Sequence, residues 1–408
     1  MKRRIISISL LFAILFCASV PKAFASDNTS VIPDNLDQLP ALEAYNTLYA
    51  SFAMDDFGDY IFPDEYGGEY INDNNQLVIL LVDRTNELEE SYAARCGGNE
   101  NDVVQFQDAE FSLNDLISLQ KDMRNSYAEM GVQLTSIDCI ENQIDVYVPE
   151  DSPLIAQTFT RAKSAKESAL STYFNDAVNI IVSNEDDYVS PQAAPAAYEL
   201  SNEARATNAY GGWFMKNSVG TVTAGFCGTY NGYAAVVSCG HDMTVGDTMS
   251  RVNAYGTTLD SSFGTVSKKQ YANRGYGDYS IVTLSGYAAT NKITYNGTNY
   301  SITGNQYSAP VGTTIYKIGY TTGLTSGSIQ SNYSDMESSG ESYAGMYIYG
   351  IIRTSASSAS GDSGGPVFLA YSSGYGALGT VAGTTRANEM MYSALRYAVS
   401  GGFSLRTS

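Results

Sequence analysis

From residue 207 onward the chain breaks into short runs of β-forming residues separated by turns rich in Gly, Ser, Thr and Tyr. Such runs occur at 219–226, 233–238, 248–252, 264–268 and 279–284. They return at 292–295, 314–318, 327–330, 347–354, 366–370 and 378–381. A strand buries one face and needs a second sheet, or closure of its own, to cover it. Many short strands with regular turns therefore restrict this half to a sandwich or barrel. One helix is expected to close the chain, capped by Asn388, with Met391, Leu395, Ala398 and Val399 along one face.

The first half reads as α+β. A helical pattern lies at 37–52, and 69–83 reads as strand, Asn-rich turn (Asp73-Asn74-Asn75) and strand. A helix is predicted over 112–130, with Ser112 as its cap and Asp115 three residues on. A second hairpin follows at 132–139 and 143–148 around Glu141-Asn142, then a helix over 153–173 and a strand at 177–182. A strand-strand-helix unit thus recurs. Residues 183–208 lose periodic hydrophobicity and carry Ser190-Pro191 and Ala194-Pro195, the composition of an exposed, cleavable linker.

Charge divides the chain at the same place. Residues 26–206 hold 34 Asp/Glu against 8 Lys/Arg, whereas 207–408 hold 9 against 11, within a net charge of −20. This distribution argues against a nucleic-acid partner and for two bodies with different jobs. Ahead of both, Lys2, Arg3 and Arg4 precede an apolar run and Ala23-Phe24-Ala25, the pattern of a secretory signal peptide over 1–25. No later stretch is long and apolar enough to span a membrane, so no membrane attachment is expected after its removal. Export leaves Cys96, Cys139, Cys227 and Cys239, an even number that suggests two disulfides. Three pairings are possible; Cys227–Cys239 and Cys96–Cys139 are favoured, since each stays within one body. One histidine and the lack of a Cys-x-x-Cys pattern make zinc a poor alternative, and no metal or cofactor is expected.

The chemistry concentrates in two short segments. The only histidine, His241, lies in Ser238-Cys239-Gly240-His241, and downstream comes Gly361-Asp362-Ser363-Gly364-Gly365-Pro366. A serine hydroxyl is a weak nucleophile until a base takes its proton, so His241 is the base available to Ser363. The imidazole then needs a carboxylate to fix its tautomer. Asp278 opens an apolar strand and suits a buried carboxylate, while Asp242 and Asp247 sit in a polar turn too near in sequence.

The order His241–Asp278–Ser363 resembles that of the chymotrypsin-like serine proteases, and more closely their bacterial streptogrisin and α-lytic protease group. Tyr349-Gly350-Ile351-Ile352-Arg353-Thr354 ahead of the serine loop, and Gly319-Tyr320-Thr321-Thr322-Gly323, are similar to segments of that group. The resemblance covers about 207–408. It implies two six-stranded antiparallel β-barrels with a cleft between them, His241 and Asp278 coming from the first and Ser363 from the second. It also implies an oxyanion hole from the backbone N–H groups of Gly361 and Ser363, and a substrate-binding strand at Ala382, Gly383 and Thr384. The acidic half resembles the group's pro-regions, which assist folding, inhibit the product and are cut away; the cut is expected near 206–208. The domains so implied are a signal peptide (1–25), a pro-region (26–206) and a protease domain (207–408), with polypeptides and the chain's own pro-region as partners.

Departures from the group are visible. Cys239 precedes the histidine, Tyr316 and Ser326 replace cysteines that often brace the hairpin, and Ala382 replaces a serine that supports the buried carboxylate. Residues 355–360 contain no carboxylate and there is no second histidine, which favours an uncharged P1 residue; Thr384 suggests a narrowed pocket mouth. The expected activity is that of a secreted endopeptidase made as a zymogen. The alternatives are a non-catalytic binding protein on the same scaffold, and an esterase, whose strand-turn-helix serine context is missing here.

Overall fold

The computed structural model describes residues 36–54, 60–98, 102–154, 177–183, 207–338, 345–385 and 389–408. The expected signal segment, most of the linker, the helix expected beyond 154 and Asn388 lie outside the described residues.

Among the described residues, the strand arrangement of the repeated unit occurs twice in the N-terminal region. In the first, strands Tyr66–Ile71 and Leu77–Val82 form a hairpin, helix Asn86–Arg95 crosses over, and Val104–Ala109 pairs parallel to Leu77–Val82. Asn75 takes φ 60° in the hairpin turn, a left-handed conformation that asparagine tolerates. Thr85 caps the crossover helix by accepting from the N–H of Leu88. In the second copy Leu134–Asp138 and Gln143–Pro149 pair antiparallel, with Asn142 left-handed between them, and Val178–Ser183 runs parallel to Gln143–Pro149. Helix Leu39–Ala50 buries Tyr45, Leu48 and Tyr49.

The helix predicted over 112–130 is broken. Ser112 caps Leu113–Met123 through the N–H of Asp115 as expected, but a tight turn at Arg124–Ser126 separates it from Tyr127–Met130. Gly131, at φ 68°, ends this second piece.

The C-terminal half is built of strands. Six of them close on themselves in the order Tyr347–Ser357, Glu389–Ala394, Gly374–Thr384, Pro366–Tyr371, Thr314–Gly319 and Gly323–Glu337. The last pairs back onto the first. Ile315, Ile329, Ile352, Val367, Leu378, Val381 and Tyr392 fill the interior. The other barrel sheet runs Phe214–Lys216, Thr248–Val252, Thr258–Gln270, Tyr279–Leu284, Tyr233–Ser238 and Cys227–Tyr230, with a short strand at each edge. Met215, Val236, Phe263, Val266 and Val282 form its core, beside Trp213. Chymotrypsin-like barrels behind an α+β region are thus the architecture, as expected from the turn spacing and the resemblance.

Two differences from expectation have physical causes. The terminal helix is confined to Leu395–Ser400, because Glu389–Ala394 pairs on both sides and closes the barrel. Met391 therefore lies on a strand; its spacing to Leu395 suits a helical face, but two neighbouring strands outweigh that preference. The larger sheet also exceeds six strands, since the Leu134–Asp138 hairpin adds to the edge of Gly323–Glu337 through Ser334↔Ser136 and Met336↔Leu134. One apolar cluster consequently runs from the N-terminal region into the C-terminal barrel.

Candidate active site

Asp278 follows Gly277, which turns at φ 73° and donates its N–H to Tyr349 O. The aspartate is buried, and it is filled with donors. Its Oδ1 accepts from the backbone N–H of Gly240 (2.6 Å) and of His241 (3.0 Å), and its Oδ2 lies 2.6 Å from His241 Nδ1. The backbone N–H of Asp278 donates to Ser393 Oγ at 2.9 Å. On the other side of the ring, His241 Nε2 is 2.9 Å from Ser363 Oγ. The three residues expected to act together share one hydrogen-bonded line.

Burial pulls the His241 imidazole towards neutrality, but the charge of Asp278 and the surrounding acceptors outweigh it and hold its pKa well above the usual value. A second carboxylate takes part. Asp242 Oδ2 is 3.4 Å from Nε2, and the bond to His241 holds Asp242 below the usual carboxylate range, against the effect of its own burial. Sequence spacing gave Asp242 no such place, because the chain reverses immediately after the histidine. Tyr271 stands beside the imidazole, ring centroids 5.7 Å apart.

The serine loop is fixed from beneath. Asp362 is completely buried and accepts from Lys317 Nζ (2.8 Å), Thr322 Oγ1 (2.5 Å) and the N–H groups of Thr321, Thr322 and Ala359. Lys317 is equally buried and donates also to Gly323 O. The Gly-x-Thr-Thr-Gly segment thus has a physical purpose. A Cβ at Gly319 would sit 2.3 Å from the Asp362 carboxylate, and the two threonines supply its donors. Asp362 within the serine motif and Lys317 just ahead of the hairpin were given no role by sequence; a buried lysine is legible only once its partner is placed.

Gly361, at φ 99°, and Ser363 flank this anchored aspartate. Gly361 O accepts from Thr223 Oγ1 (2.9 Å), and among the described residues neither the Gly361 nor the Ser363 N–H donates to the protein. Gly364 is locked between barrels: a Cβ there would lie 2.0 Å from Ser238 Oγ, and its N–H donates to Val381 O. Ala382, Gly383 and Thr384 continue that strand alongside the serine loop, with Gly383 O accepting from Ser358 Oγ. Residues 355–360 do lack a carboxylate, yet Glu389 is paired opposite Ser357. Arg353, 3.7 Å away, balances its charge.

The expected disulfides are not formed. Cys96, Cys139, Cys227 and Cys239 are buried free thiols. Cys227 lies opposite Val236, which leaves Cys239 three residues further along, about 10 Å by strand geometry and beyond the ~7 Å Cα limit for a bridge. Burial pushes the thiols of Cys227 and Cys239 up to about 12.

The trypsin family profile matches residues 184–397, and that of a Pro-like N-terminal domain matches 34–106. "Serine protease 1" from Streptomyces fradiae is 32% identical over 151 residues. That match spans 36% of this chain and 38% of the relative, well short of the relative's full length. Among solved structures, Thermobifida fusca Protease A is 25% identical over 49% of this chain and 98% of that one, with a TM-score of 0.40. Cellulomonas bogoriensis chymotrypsin is 22% identical over 49% and 100%, with a TM-score of 0.39. The barrel topology and the two family profiles define a chymotrypsin-like fold preceded by a pro-like N-terminal domain. The chain belongs to the trypsin family.

Proposed function

We propose that this chain is a secreted serine endopeptidase of the streptogrisin and α-lytic type, made as a zymogen. In this reading residues 1–25 are a signal peptide, 26–206 a pro-region and 207–408 the protease domain. The observation that carries it is the line Asp278 Oδ2–His241 Nδ1 (2.6 Å) and His241 Nε2–Ser363 Oγ (2.9 Å).

His241 takes the Ser363 proton as the oxygen attacks the scissile carbonyl, and Asp278 orients the ring and stabilises the imidazolium. The Gly361 and Ser363 N–H groups receive the developing oxyanion; one such donor contributes about 3–4 kcal/mol. Imidazolium then protonates the leaving amine, and water, activated by the same histidine, hydrolyses the acyl-enzyme. Ala382, Gly383 and Thr384 hold the peptide backbone, and the pocket takes an uncharged P1 side chain, since the Glu389 charge is already balanced by Arg353.

The Leu134–Asp138 hairpin on the Gly323–Glu337 edge supports a pro-region that folds together with the protease domain. A fluorophosphonate probe should label the secreted chain and leave Ser363→Ala unlabelled, and Ser363→Ala should accumulate uncut if processing is autocatalytic. Equal labelling of both, or of neither, would point to a non-catalytic scaffold.

A further inference from the structure

Arg124 is one of eight basic residues in the acidic N-terminal region, and it occurs where the expected helix breaks. Its side chain leaves that region and enters the protease domain. Nε and Nη2 donate to the two oxygens of Asp335, at 2.7 and 3.0 Å, a bidentate fork that matches the planar guanidinium. Nη1 donates to the hydroxyl of Tyr276 at 2.5 Å. The guanidinium carbon lies 4.0 Å from the ring centroid of Tyr349 and 5.1 Å from that of Tyr276, within range for cation–π attraction. The Asp335 side chain is 1% exposed and the Arg124 side chain 13%.

All three receiving residues belong to the C-terminal half. Asp335 is in the edge strand Gly323–Glu337, Tyr349 in Tyr347–Ser357 and Tyr276 in the short strand beside it. The Gly350 N–H also donates to Asp335 Oδ1, and Tyr127 OH to Oδ2. Burial pushes the Asp335 carboxyl up while Arg124 lowers it, so this aspartate is poorly placed without a cation. Lysine would not substitute: an ammonium is a point charge with no planar fork and no stacking face.

We propose that Asp335, Tyr276 and Tyr349 form a guanidinium-binding site on the protease domain, filled in the uncut chain by Arg124 and specific for an alkylguanidinium over an alkylammonium. Tyr276 precedes Asp278 by two residues, and Met336, next to Asp335, reaches within 3.7 Å of a Cβ position on Gly383. The site therefore adjoins the substrate strand. Removal of the pro-region, which rests on the function proposed above, opens it to an arginine of another polypeptide.

The test uses the full chain carrying Ser363→Ala and reads thermal unfolding, so its outcome is independent of catalysis and of processing. Arg124→Ala should lower the Tm, and millimolar methylguanidinium should restore it saturably where methylammonium does not. Adding Asp335→Asn to Arg124→Ala should abolish the response. Arg124→Lys should melt well below the parent, which serves also if Arg124→Ala fails to fold. The proposal is overturned if Arg124→Lys melts with the parent, if the two cations act alike, or if the double variant responds as Arg124→Ala does.

Discussion

The Lys317 ammonium sits 2.8 Å from the Asp362 carboxylate with neither side chain exposed. Asp362 lies between Gly361 and Ser363, so a charge pair deep in the C-terminal barrel fixes the loop that carries the Ser363 hydroxyl and the two N–H groups proposed to receive the oxyanion. The loop is anchored in the full chain by Lys317, a side chain five positions before the second threonine of the Thr321-Thr322 pair.

Breaking that pair on one side leaves a buried carboxylate without its counter-charge. Lys317→Ala is expected to lower stability by about 3–5 kcal/mol and to depress peptide hydrolysis. Chemical denaturation of the Ser363→Ala background gives the first quantity and kcat/KM the second. A variant with unchanged stability would show that Thr321, Thr322 and Ala359 hold Asp362 unaided.

His241 must be neutral to act as base, and its pKa is held well above the usual value. Hydrolysis is therefore expected to fall on acidification through a pKa above that of an ordinary histidine. The same raised pKa means the imidazolium contributes stability that is complete below the ordinary histidine value and is lost as pH rises through the folded value. Asp242 adds to the shift through its contact with Nε2. Asp242→Asn should move the acid limb of the kcat/KM profile to lower pH by roughly half to one unit. A limb that stays in place, or moves upward, would deny Asp242 this role.

Glu69 is buried in the N-terminal region, where Tyr49 and Tyr66 donate to its carboxylate, and burial pushes its pKa up to about 7. The folded state holds a proton that the unfolded state releases near 4.5. Stability is thus fully present below the unfolded value and lost as pH rises towards 7, by about 3 kcal/mol. Glu69→Gln, which keeps one carbonyl acceptor and turns the other oxygen into an amide donor facing a tyrosine hydroxyl, should flatten this slope. Denaturation midpoints between pH 4.5 and 7 check it; an unchanged slope would place the titration elsewhere.

The free thiols make a separate prediction. In denaturant without reductant, an alkylating reagent should modify Cys96, Cys139, Cys227 and Cys239 together. Modification that appears only after reduction would restore the pairing argued from export.

Much of the fold could be read along the chain because its causes are local. Asn75 and Asn142 mark hairpin turns, Ser112 with Asp115 marks a helix start, and Gly361 and Gly364 mark a loop that side chains would obstruct. The charge of the chain changes near 207, the boundary expected from sequence. The strand at Glu389–Ala394 was hidden, since Met391 and Leu395 suit either periodicity and barrel closure decided between them.

The sequence by itself determined which groups are available for the proposed catalysis: one imidazole, the serine of the Gly361–Gly365 loop and an aspartate opening an apolar strand. Tertiary structure decided what surrounds them. Asp242 beside Nε2, Lys317 beneath Asp362, Arg124 inside the Asp335 pocket and the separation of Cys227 from Cys239 all depend on how distant strands register. The physical reason is that a charge or thiol is given its role by its nearest neighbours in space, and in a barrel those neighbours are set by pairing between segments far apart in the chain.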